Sequence, residues 1–137
     1  MTADTDLTPT TGCLFFCHGA RDPAWREPFE AVLAEFARSA PDTPAVLAFL
    51  ELMKPDFEGG AARLIEQGVN RIHVVPLFLA PGGHTRGDLP GLVESAARRW
   101  PAVSFEVAAT LTEDPAVREA IVASARAALS AASARQS

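Results

Sequence analysis

Four short apolar runs, separated by stretches of helical period, constrain the fold of this chain more than any other feature. The runs are 13–17 (CLFFC), 45–50 (AVLAFL), 71–79 (RIHVVPLFL) and 103–109 (VSFEVAA). They are nearly continuous in apolar character, as expected of parallel strands covered on both faces. Between them, Phe29, Val32, Leu33, Phe36 and Ala37 fall on one helical stripe, and Phe57, Ala61, Leu64 and Ile65 on another. Leu89, Leu92, Val93, Ala96, Ala97 and Trp100 make a third, and Val117, Ile121, Ala125, Ala128 and Leu129 a fourth, which then frays into an alanine- and serine-rich tail. The order βαβαβαβα predicts an α/β fold: an open, mainly parallel four-stranded sheet with helices on both faces and right-handed crossovers. All four stripes read as core faces.

At 137 residues, the chain has room for one sizeable core. Residues 12–137 are read as a single domain and residues 1–11 as a loose tail. Pro55, Pro90 and Pro115 mark helix starts, the last behind an Asp114 cap. Asp22–Pro23 opens the first helix, but Pro28 removes a bond from the next turn and predicts a broken or delayed start. Pro76 demotes the third run to a bulge or an edge-like section, and Gly68 ends the second helix.

Composition narrows the function classes. A formal charge of −5 argues against nucleic-acid binding, which calls for a basic face. Residues 1–12 are polar and acidic, unlike a basic, then apolar, export signal, and no apolar run reaches the roughly 20 residues a membrane helix needs. The expectation is a cytoplasmic protein with neither membrane nor nucleic-acid partners. Cys13 and Cys17, four apart in one strand, would lie about 13 Å apart at ~3.3 Å per residue, too far for a disulfide. They read as reduced, packed side chains. A cysteine-phosphatase loop needs an arginine six positions after the nucleophile, and Arg21 follows Cys17 by only four.

The chemistry concentrates where strands end. Cys17 runs straight into His18, Gly19, Ala20 and Arg21; the third run leaves through Gly82 and Gly83 onto His84, with Arg86 and Asp88 behind it. In open parallel sheets, ligands bind beyond the carboxyl ends of the strands, where strand order reverses. With order 2-1-3-4, the first and third strands are neighbours and both histidines reach that edge. Two imidazoles there form either a metal site or a base-catalysis site. Glu51, at the end of the second run, is a third ligand, a proton-accepting base or a plain helix-entry residue. Arg21, Lys54 and Arg86 ring the edge with positive charge suited to a carboxylate-bearing ligand. Gly82 and Gly83 clear room for a flat, bulky one. Asp22 and Asp88 read as helix caps or as partners of the arginines. His73, at the opposite edge, reads as a packing or surface residue. No dinucleotide or P-loop fingerprint is present.

Taken together, Cys17–Pro23 (CHGARDP), Phe49–Glu51 (FLE) and Val74–Leu79 (VVPLFL) leading to Gly82–His84 resemble the small CbiX-type class II chelatases, the sirohydrochlorin cobalto- and ferrochelatases. The similarity covers roughly residues 12–110; it departs at Ala20, where many relatives carry serine, at Pro28, and in having no histidine-rich tail. The resemblance implies a chelatase-like half-lobe, paired in a homodimer around a tetrapyrrole cleft. It implies that His18 and His84 bind metal and abstract protons, and that Glu51 assists as a metal ligand. Arg21, Arg86, Lys54, Gly82 and Gly83 would then hold a sirohydrochlorin-like substrate. The divalent ion (Co²⁺, Fe²⁺ or Ni²⁺) is itself a substrate, with no tightly bound cofactor, in cobalamin or sirohaem synthesis. A metal or tetrapyrrole carrier without turnover is the alternative. A phosphatase with His18 as nucleophile fits less well, because Cys17 stands where such a site places an arginine.

Overall fold

Strand β1 (Thr11–Cys17) has parallel partners on both sides, and this pairing organises everything else. The computed structural model describes residues 8–81 and 83–136; the side chains of residues 83–87 also lie outside that description. Four strands, β1, β2 (Ala45–Phe49), β3 (Arg71–Pro76) and β4 (Ser104–Val107), form one parallel sheet in the order β2-β1-β3-β4. Strand order therefore reverses between β1 and β3, as the sequence predicts. Residues 1–7, assigned to the tail, lie outside the described residues, and β1 begins at Thr11. Asn70 ties the segment before it: its Oδ1 accepts from Thr10 N at 2.8 Å, and its Nδ2 donates to Thr8 O at 3.3 Å.

Helices α2 (Phe57–Glu66) and α3 (Gly83–Arg99) share one face of the sheet. Phe57, Ala61 and Leu64 pack there with Leu89 and Ala96 over Leu14, Phe16, Val46, Ala48, Ile72 and Val74, all of them buried. Helix α1 (Glu27–Ser39) lies on the other face, over Cys13, Phe15, Cys17, Leu47 and Phe49. The last helix, α4 (Pro115–Gln136), has no buried residue among its described positions. Its stripe is thus not a core face, contrary to the sequence reading. Nor does the helix fray after Leu129; alanine, the strongest helix former, carries it to Gln136.

Most punctuation falls as predicted. Asp22 Oδ1 accepts from Ala24 N at 2.9 Å and opens a 3₁₀ turn, Pro23–Arg26, so α1 starts late, with Pro28 in its first turn. Asp56 caps α2 through Gly59 N, Gly68 closes it with a positive φ, and Asp114 Oδ1 accepts from Ala116 N at the start of α4. Two proline readings need correction. Pro90 lies inside α3, which begins at Gly83, so Asp88 is not a cap for that helix. Pro76 makes neither a bulge nor an edge: it is buried at the end of the inner strand β3, past the last β3–β4 pair (Val74↔Val107), where a missing N–H breaks no ladder.

Both cysteines are free and buried. Burial pushes the Cys13 thiol up to about 11 and that of Cys17 to about 12, the nearby Arg26 opposing the rise at Cys17. A thiol that ionises later folded than unfolded holds its proton in the native state, so stability is unaffected below pH 9. Above it, unfolding releases protons, and stability falls through pH 11–12 by roughly 1.4 kcal/mol per unit of pKa difference at each thiol. Urea unfolding from pH 8 to 11 is expected to show this loss, and Cys17→Ser to flatten it.

Candidate active site

The β1–β2 register (Cys17↔Phe49) brings the residues just beyond both strands side by side. Leu50 N donates to Cys17 O at 2.8 Å, and Glu51 N to His18 O at 3.2 Å, extending the pairing past the sheet. As a result His18 Nε2 stands 3.5 Å from Glu51 Oε2, both side chains about half-exposed. That gap is long for a hydrogen bond. It matches two donors each ~2.1 Å from one ion at a tetrahedral angle, which lie about 3.4 Å apart. The Phe78 ring meets the imidazole edge-on, with centroids 6.3 Å apart, and limits where it can turn.

The backbone beneath this pair is tightly specified. Gly19 has φ +99°, and a Cβ there would lie 1.8 Å from Glu51 O. Leu52 is also left-handed, at φ 67°, a conformation costing a non-glycine residue about 1–2 kcal/mol. The loop from Leu50 to Lys54 is closed at its base by Phe49 N donating to Pro55 O at 2.9 Å. Arg26 pins it from the side, its guanidinium 4.8 Å above the Phe49 ring and its Nη1 donating to Lys54 O at 3.4 Å. Sequence reasoning missed Arg26; its position three residues past Pro23 marked only a helix start.

Of the predicted site residues, His18 and Glu51 meet. Arg21 and Lys54 are exposed on the two loops that carry this pair. Gly82 lies outside the described residues, as do the side chains of His84 and Arg86. The backbone places Gly83 and His84 in the first turn of α3, not in the loop before it, on the chain that leaves β3 at the same edge. Among the described residues, no cluster of three metal-ligating side chains occurs. His73 stands at the opposite end of β3, with Nδ1 3.4 Å from Glu106 Oε1, a surface pairing as expected.

Sequence reasoning also missed a cavity of about 560 Å³ between α3 and the end of β4, lined by Pro76, Phe78, Leu89, Val93 and Val107, with Glu94 and Glu113 at its polar side. Its walls are mainly apolar, and Phe78 belongs both to this lining and to the wall beside His18. The apolar run 74–79 contained the signal, but not the side toward which Phe78 turns.

Fold and site together define an α/β domain that presents an imidazole and a carboxylate at the carboxyl edge of a parallel sheet, beside an apolar hollow. The chain belongs to the CbiX family, whose model matches residues 12–128. It is 31% identical over 93 residues to a sirohydrochlorin cobaltochelatase of Methanothermobacter thermautotrophicus, a match covering 68% of this chain and 64% of that one. The crystal structure of a CbiX protein from Marinobacter aquaeolei VT8 superposes with a TM-score of 0.78 at 30% identity, covering 88% of this chain and 98% of the other. The sirohydrochlorin chelatase SirB from Bacillus subtilis subspecies spizizenii, solved in complex with cobalt, gives 0.69 at 27% identity over 74% of this chain and 44% of its own. The chain thus spans less than two thirds of the length of the cobaltochelatase it matches.

Proposed function

We propose that this protein is a chelatase that inserts a divalent metal, cobalt or iron, into sirohydrochlorin or a closely related tetrapyrrole. The observation that carries the reading is the His18–Glu51 pair, held 3.5 Å apart at the edge where ligands of parallel sheets bind. Its relatives named as sirohydrochlorin chelatases support the substrate class.

Insertion exchanges two pyrrole N–H protons for one M²⁺ ion. In this reading His18 receives the ion from water on its Nε2 and Glu51 supplies an oxygen donor. Imidazole and carboxylate hold a first-row ion without the grip of a thiolate cage, so the ion can be passed on. His84, from the first turn of α3, takes the pyrrole protons as a base near neutral pH. Arg21, Lys54 and Arg86 bind the carboxylates of the macrocycle, and Gly82 and Gly83 let its flat face approach. Leu52 and Leu79, exposed large apolar residues just beyond β2 and β3, suit the ring itself. Nickel fits the same donors. A second copy of the chain supplies the facing lobe, and the reaction belongs in the cytoplasm.

A carrier on the same scaffold is distinguished by turnover. With protein at one-twentieth of the tetrapyrrole, Co²⁺ addition is expected to convert all of it at a rate proportional to protein, followed by absorbance. Conversion that stops at one equivalent per chain, with no acceleration afterwards, overturns the enzyme reading.

A further inference from the structure

The loop that carries Glu51 holds a conformation it would not keep alone. Leu52, the next residue, sits at φ 67°, in the left-handed region that glycine, and less often asparagine or aspartate, adopts readily. Leu52 is 58% exposed, so burial does not hold it there. Glu51 depends on this turn. Its carbonyl lies against Gly19, where a Cβ would come within 1.8 Å of the oxygen, and its N donates to His18 O at 3.2 Å. The Glu51–Leu52 peptide is thus seated on the chain that carries His18, and it rotates if Leu52 leaves the left-handed region. Strained residues of this kind persist only where their surroundings over-determine them.

Arg26 grips both ends of the loop. Its guanidinium carbon stands 4.8 Å above the Phe49 ring, just before the loop, and its Nη1 donates to the carbonyl of Lys54, the last loop residue, at 3.4 Å. Its Nε donates to Glu30 Oε2 at 3.1 Å, which fixes the plane of the fork and offsets its charge. The partners of Arg26 are therefore internal, whereas Arg21 lies exposed on the neighbouring loop.

We propose that Arg26 is a positioning residue for the metal-binding pair: by clamping both ends of the loop it keeps Leu52 left-handed, and so keeps the Glu51 carboxylate turned toward His18. The assignment rests on the proposed role of His18 and Glu51 as metal donors. Affinity scales with the population of the competent conformation, so a clamp whose loss cuts that population to about a tenth lowers metal affinity about tenfold. Lysine keeps the cation but not the planar fork, and cannot replace arginine fully.

The test titrates Co²⁺ into the whole chain without tetrapyrrole and reads binding from the paramagnetic shift of the His18 ring protons by NMR. Arg26→Gln should weaken binding about tenfold and Arg26→Lys by less. Arg26→Gln/Leu52→Asn should recover most of the loss, because asparagine keeps the left-handed turn without a clamp; a merely structural role for Arg26 predicts no such recovery. Circular dichroism checks the fold, and if Arg26→Gln does not fold, Arg26→Lys with and without Leu52→Asn makes the same comparison. Unchanged affinity on loss of Arg26, with Glu51→Gln weakened, overturns the clamp and leaves the metal pair standing. A loss that Leu52→Asn fails to restore overturns the clamp as well. Undiminished affinity in Glu51→Gln overturns the metal-pair reading itself, and the clamp with it.

Discussion

If the proposed chelatase reading holds, replacing His18 by alanine is expected to lower the rate of metal insertion by about 100-fold or more while leaving thermal stability within about 0.5 kcal/mol. The two halves of this expectation rest on the same fact. The imidazole is about half-exposed, so its removal opens no core cavity, and its position after β1 is set by backbone bonds rather than by its side chain. What is lost is one member of the 3.5 Å pair, which in the proposed function leaves Glu51 alone to draw the ion out of water. Glu51→Gln keeps the shape and removes the charge; it should raise the metal concentration needed for half-maximal rate more than it lowers the limiting rate. His84→Ala should lower the limiting rate instead, since its proposed task is proton removal. Initial rates measured by absorbance over a metal titration separate these cases, and an unimpaired His18→Ala enzyme would end the assignment.

Gly19→Ala is the most disruptive single-methyl change at this edge. The new Cβ would lie 1.8 Å from Glu51 O, a backbone atom that cannot swing away, and the residue would remain at φ +99°. Stability is expected to fall by about 3 kcal/mol, a Tm loss on the order of 10 °C for a domain of this size. Relief requires the Glu51 loop to move outward, and a misplacement of about 1 Å is worth roughly 100-fold in rate. Gly68→Ala is the matched control: φ is +94°, but nothing lies within 4 Å of its added Cβ. It should cost only the backbone strain, about 1–2 kcal/mol, and leave insertion intact. Equal Tm losses in the two variants would refute the steric argument.

The strand order, and the placing of His18 and Glu51 at one edge of the sheet, were legible because apolar runs and helical stripes are local patterns. Whether Glu51 reaches His18 was not, because that depends on the register Cys17↔Phe49, a non-local property. Periodicity likewise showed that Val117, Ile121 and Leu129 share a helix face, but it cannot show what covers that face. The start of α3 was misplaced because Pro90 resembles a first-turn proline, while Gly82–Gly83 resembles a loop. Helix packing on the sheet through Leu89, Val93 and Ala96 outweighs the poor propensity of that first stretch. Arg26 was missed because its partners, the Phe49 ring at the end of β2 and Lys54 O in the loop after it, lie more than twenty residues later.

The central place of β1 also has a consequence for synthesis. Its ladder partners are residues 45–49 and 71–76, so this strand cannot complete its pairing until residue 76 has been translated. Until then CLFFC, with two phenylalanines, a leucine and two thiols, is a sticky nascent segment awaiting distant sequence. Closing such long loops before any reward arrives slows folding, so newly made chains should depend on chaperones for longer than a helical bundle of equal size would.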